Sequence, residues 1–240
     1  MHWLDHQAII LYLSDIENHI TAMRFSYLVV LIEILFLNIV LIGQEKTNWK
    51  QVKDSDNIKA YVQKLPSSQL KKVKVETILD ATLPELVSII KDAENHNKWV
   101  YYIERAEIIE KTDDFHWKYY GFSNPPWPVS NRDFITEVTL EQNEQDRSII
   151  ITSIAIPDYL PTTDDCVRIP YLSSIWYLVP LSNDSIFISL EIVADIGGLI
   201  PIWLVNMAIT QGPLSTIKGL LKELRTNKYS HAKLDYIDEL

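Results

Sequence analysis

Six histidines, a single cysteine and several adjacent acids are the residues of this 240-residue chain that could carry chemistry. Three of the histidines precede residue 20, and His96, His116 and His231 are scattered. No CxxC or HExxH spacing offers a ligand set, so neither a metal ion nor a cofactor is expected. A GxSxG elbow, a P-loop and a GxGxxG turn are all missing. Asp113-Asp114 and Asp164-Asp165 read as turn acids, and Cys166 opens a strand where it packs rather than attacks. His116 or Tyr119 could act as an acid or base inside a pocket, but no residue is spaced to activate either. The chain is not expected to be an enzyme.

A second set of residues suits binding. Arg132, Phe134, Thr136 and Val138 alternate with Asp133, Ile135 and Glu137, which puts the two sets on opposite faces of a strand. Just before them, the loop Asn124–Asn131 is stiffened by Pro125, Pro126 and Pro128 and carries Trp127, an interface anchor or a core plug. Trp203 and Met207 fall one turn apart on a predicted helix, where they line a pocket or join the core. Farther along, Lys218, Lys222 and Arg225 recur on one side. They either meet an anionic membrane, at about 1 kcal/mol per charge, or form a solvated face. With 22 Lys+Arg against 32 Asp+Glu, a general nucleic-acid binder is not expected.

The elements that must hold these residues follow from periodicity and turn chemistry. Strand-like runs cover 58–65, 70–79, 100–111, 115–122, 132–142, 148–156, 167–181 and 186–196. Thr82-Leu83-Pro84-Glu85 is a capping box that opens a helix with Leu86, Val87, Ile89 and Ile90 on one side. Gly197-Gly198 ends the strands, and Pro201 begins a long final helix with a kink expected at Gly212-Pro213. The order predicts an α+β fold, a curved antiparallel sheet wrapped around one C-terminal helix. Such a sheet and helix can enclose a cavity, or pack solid.

The apolar residues are unevenly spread. Residues 25–43 hold 14 Leu, Ile, Val and Phe around the single Glu33. As a helix that stretch spans about 28 Å, close to a hydrocarbon core of roughly 30 Å. The apolar side chains supply near −6 kcal/mol of insertion free energy against about +3 for Glu33. Residues 23–43 therefore read as a signal peptide or a membrane anchor, and 1–22 as an unassigned leader or a misplaced start. Gly43 could precede a cleavage site. Lys46, Lys50 and Lys53, against Arg24 alone on the other side, support a cytoplasm-facing anchor as the alternative to export. The domain proper is expected over 44–230, with 231–240 as a tail.

Three stretches carry a family likeness. They are Pro126-Trp127-Pro128-Val129-Ser130-Asn131-Arg132-Asp133-Phe134; Val167-Arg168-Ile169 followed by Trp176; and Asp195-Ile196-Gly197-Gly198-Leu199-Ile200-Pro201-Ile202-Trp203-Leu204-Val205-Asn206. In this order they resemble the START family of lipid-binding domains from about Trp49 to Tyr229. The likeness is strongest to the phosphatidylcholine-transfer branch and its bacterial relatives. It implies a helix-grip fold with an internal hydrophobic tunnel for one lipid, gated by the 124–131 loop and the C-terminal helix. It also implies a monomer whose partners are a lipid or other hydrophobic small molecule and a membrane surface.

In that family the residue matched by Arg132 faces the cavity. A buried charge must meet a carboxylate, water or an anionic ligand group, so Arg132 is either half of a structural ion pair or a ligand contact. The head-group positions depart from the family pattern. The Arg that phosphatidylcholine binders place shortly before the Trp matched by Trp99 is His96 here. The choline-cage positions fall at Gly121, Phe134 and Leu172, which leaves one aromatic where several faces are needed. Phosphatidylcholine is not the expected ligand; a sterol, another phospholipid, a fatty acid or a non-lipid hydrophobe are the alternatives. The expected function is non-catalytic binding and transfer of one such ligand. The competing readings are an enzyme of the same superfamily and an interaction domain with a filled cavity.

Overall fold

The computed structural model describes residues 49–66 and 68–240. The leader, and the signal or anchor expected at 23–43, lie outside the described residues. Among those described, no helix is long and apolar enough to cross a membrane.

Ten strands form one curved sheet: β1 (Lys50–Ser55), β2 (Ile58–Lys64), β3 (Lys71–Asp80), β4 (Ile103–Lys111), β5 (His116–Ser123), β6 (Arg132–Gln142), β7 (Ile149–Ala155), β8 (Val167–Arg168), β9 (Tyr171–Ser182) and β10 (Ser185–Asp195). Their spatial order is β1-β2-β3-β10-β9-β7-β6-β5-β4, antiparallel throughout, and short β8 adds in parallel to the start of β6. Helix α1 (Leu83–Lys91) and a 3-10 turn (Ala93–Lys98) cross between β3 and β4. Helix α2 (Ile202–Leu224) closes the concave side and lies against β3 and β10. This is the expected helix grip.

Local chemistry explains the elements. The Thr82 hydroxyl accepts from the Glu85 N–H at 3.3 Å and caps α1, as the capping-box residues imply. On α2, Val205, Ile209, Pro213, Ile217 and Leu220 are buried at helical spacing and form the stripe that faces the sheet. The helix continues through Gly212-Pro213 rather than ending there. Arg132, Phe134, Thr136 and Val138 share the concave face of β6, as alternation requires.

Three boundaries differ from those expected. β1 is extra, a hydrophilic edge strand joined to β2 by Asp56 and Asn57, both with positive φ near 57° and 59°. That pair is the signature of a tight I′ hairpin turn, and the polarity of the strand hides it from a hydrophobic reading. Residues 100–102 form a turn, so β4 starts at Ile103. The run 167–181 divides at Ile169-Pro170, because proline brings no N–H to a ladder. Beyond residue 230 the chain packs back on the domain: Ile237 is buried, and the Asp238 N–H donates to the Gln142 side chain at 2.9 Å.

Candidate functional site

Between the sheet and α2 lies a cavity of about 1170 Å³. That exceeds the roughly 300–1,000 Å³ of ordinary small-molecule pockets. Its walls are the inward residues of successive strands, running from Tyr119 on β5 through Val138, Ile151 and Trp176 to Leu190 and Ile192 on β10. Residues 202–204, 206–213 and Thr216 of α2 form the lid. The register places the residues in levels along the tunnel. Ser123 and Arg132 pair at one end, Tyr119 and Thr136 farther in, and Ile151 and Trp176 beyond them. The chain therefore does not fill its own groove.

Among the described residues two cations, Lys71 and Arg132, line this space, and no carboxylate does. Arg132 is 4% exposed. Its Nη1 donates to the Ser130 carbonyl, while its Nε has no partner among the described residues. Burial pulls the guanidinium below its ordinary range, and no acid opposes that. The ion pair that could have accounted for Arg132 belongs to another arginine. Arg168, brought alongside by parallel β8, grips Asp133 through Nε–Oδ1 at 2.8 Å and Nη2–Oδ2 at 2.9 Å. Strand alternation sends Asp133 away from the cavity and Arg132 into it. Gly198, with φ 76°, lets the chain turn beside this guanidinium, and a Cβ there would stand 3.4 Å from Nη2.

His96 is buried, and both of its ring nitrogens are engaged. Nε2 lies 3.0 Å from the Ile90 carbonyl and must be the donor, since a carbonyl only accepts. Nδ1, 2.9 Å from the Tyr119 hydroxyl, then accepts. Desolvation lowers the His96 pKa to about 4 and pushes the Tyr119 phenol well above its usual value. This is a neutral, saturated pair, poor material for a general base. Phe134 folds its ring over Gly121, where a side chain would collide with it, and sits 5.8 Å from the Tyr119 ring. One aromatic ring thus covers two of the positions at which the family likeness put a choline cage. Among the described residues no cluster of His, Cys, Asp and Glu is arranged to hold a metal ion.

The remaining candidates border the opening. Trp127 is 93% exposed, so it is no core plug. Trp203 and Met207 touch the cavity yet are 66% and 55% exposed, which places them on its rim rather than in the core. Leu199 and Ile202 are exposed beside them, an apolar continuation that sequence reading missed. The tell-tale was Leu199 directly after two glycines at a strand-to-helix turn, where it stands fully exposed. Lys218, Lys222 and Arg225 are exposed as well. They lie about 22–33 Å along α2 from Trp203, so the basic stripe and the apolar rim are separate surfaces.

Known proteins share this arrangement. Residues 37–230 match the START domain family. The phosphatidylcholine transfer protein of Rattus norvegicus is 24% identical over 180 residues, 73% of this chain and 83% of that protein. A crystal structure of the STAR-related lipid transfer protein from Xanthomonas axonopodis superposes with a TM-score of 0.69 at 34% identity, covering 74% of this chain and 98% of that one. Human STARD10, at 20% identity and a TM-score of 0.67, matches in fold over 82% of this chain and 84% of its own. A curved sheet closed by its last helix over an apolar tunnel, carried by a sequence that matches along that whole length, makes this chain a member of the START domain family, which binds lipids or other hydrophobic ligands.

Proposed function

We propose that this domain is a non-catalytic carrier of one amphiphile, its chain in the tunnel and its hydrogen-bond-accepting head against Arg132. The observation behind this reading is the buried guanidinium whose Nε has no partner, in a cavity that no carboxylate lines, among the described residues. A buried cation without a counter-charge is costly, so an anionic or strongly accepting head stabilises the loaded form more than the empty one. The saturated His96–Tyr119 pair weighs against catalysis. The rim formed by Trp127, Leu199, Trp203 and Met207 supports loading at a membrane surface, with the 124–131 loop and the start of α2 as the gate. Burying one Trp, about 150–250 Å² of surface, in an apolar phase contributes several kcal/mol. A signal or anchor at 23–43 would deliver the domain to such a surface as a monomer.

Uptake of fluorescent amphiphiles from vesicles tests the reading. The wild type is expected to load anionic chains in preference to zwitterionic ones. Arg132→Leu, verified as folded by circular dichroism, is expected to lose roughly 10- to 100-fold of that uptake, the worth of one charge-assisted hydrogen bond. Equal loading by the two proteins would make Arg132 a bystander.

A further inference from the structure

The tunnel has a second polar station, far from Arg132. Ser153 of β7 and Ser174 of β9 are direct cross-strand partners, and both line the cavity. Opposite residues hold their Cβ atoms about 4.5–5.5 Å apart, so one small group can reach both hydroxyls. Thr136 of β6 and Tyr119 of β5, themselves paired, line the wall one step nearer the mouth. Thr136 is buried and Ser153 and Ser174 are half-buried, and all three line the cavity among apolar neighbours such as Val138, Ile151 and Trp176. Trp99, whose ring lies 6.3 Å from that of Trp176, belongs to the same end, and its buried indole N–H lacks a partner among the described residues.

Polar groups on an otherwise apolar cavity wall are unfavourable unless a ligand or water pairs them, and three adjacent strands contribute one each. A wall built only to hold an alkyl chain would carry Val, Ile or Leu at these positions, as β10 does with Leu190 and Ile192. The separation from Arg132 has a definite length. Thr136 is four residues along β6 from Arg132, and Val138, the partner of Ser153, is six. At about 3.4 Å per residue the hydroxyls lie ~14–20 Å deeper than the Arg132 level. With bonds of ~1.52 Å at ~111°, an extended alkyl chain needs roughly 11 bonds to reach the Thr136 level and roughly 16 to reach the Ser153–Ser174 pair.

Resting on the reading that Arg132 holds the ligand's head, we propose that the natural ligand is a long-chain anionic amphiphile with a hydroxyl or carbonyl group near the far end of its chain. Arg132 takes the anionic end, the Phe134 ring packs on the intervening methylenes, and the Ser153–Ser174 pair takes the in-chain oxygen. The span excludes an oxygen adjacent to the head, which would stop beside Phe134.

Three fatty acids separate the possibilities: stearate, 2-hydroxystearate and 17-hydroxystearate, each measured by displacement of a fluorescent fatty acid from the purified protein. The 17-hydroxy acid is expected to bind about tenfold more tightly than the other two, the worth of one well-made hydrogen bond. In Ser153→Ala/Ser174→Ala that advantage is expected to vanish. Equal affinity for the three acids in the wild type overturns this inference and leaves the Arg132 reading standing. An advantage that survives in the double variant overturns the role of the two serines. If none of the three acids binds, both the inference and the reading beneath it fail.

Discussion

Arg132 and Arg168 are two arginines at one end of the same cavity wall with opposite surroundings. Arg168 meets Asp133 in a two-point grip with both side chains buried, and it also donates to the carbonyls of Pro157 and Leu160. Asp133→Asn would leave that guanidinium buried without its counter-charge. The expected cost is about 3–5 kcal/mol, read as a lower urea midpoint. A loss below 1 kcal/mol would mean that the pair is dispensable. His96 gives a pH signature. Its folded pKa of about 4 lies under the ordinary 6.5, so between those values the unfolded chain binds the extra proton. Stability then falls as pH drops through that window, by on the order of 3 kcal/mol near pH 4. His96→Gln, which cannot protonate, should flatten the urea midpoint between pH 6.5 and 4.5. Parallel pH profiles for the two proteins would contradict the assignment.

At the scale of elements, alternation on β6 was legible because one residue in two faces the tunnel whatever fills it. The strand order and the final helix were legible for a similar reason, since turn residues and apolar periodicity mark them. β1 was not, because a polar edge strand has no apolar pattern, and its Asp56-Asn57 turn was the only available mark. Helix α2 makes its closest approach at Gly219. A Cβ there would overlap the Trp99 carbonyl, whose carbon and Cα would stand 2.9 Å away. The clash is with backbone and cannot be relieved by a rotamer change. Gly219→Ala is expected to cost at least ~2 kcal/mol in stability and to loosen the lid, where an ordinary exposed helical glycine would gain from the same change. A thermal midpoint at or above that of the wild type would show that the helix does not approach so closely.

For the whole molecule, the property the sequence could not reveal was hollowness. The same pattern of inward Leu, Ile, Trp and Phe suits a solid core, and only the spacing between the sheet and α2 decides the matter. The choice between Arg132 and Arg168 as the partner of Asp133 was equally hidden. It depends on β8 turning back beside β6, a contact between segments more than thirty residues apart. The exposure of Trp127 and Trp203 was hidden too, because an amphipathic ring reads the same in a core and on a rim. The account rests on occupancy of the tunnel, and native mass spectrometry of the protein purified without detergent measures that directly. We predict one amphiphile per chain, released intact by organic extraction, and substoichiometric occupancy in Arg132→Leu. A wild-type protein that is empty and takes up no member of a panel of anionic and neutral lipids would contradict it.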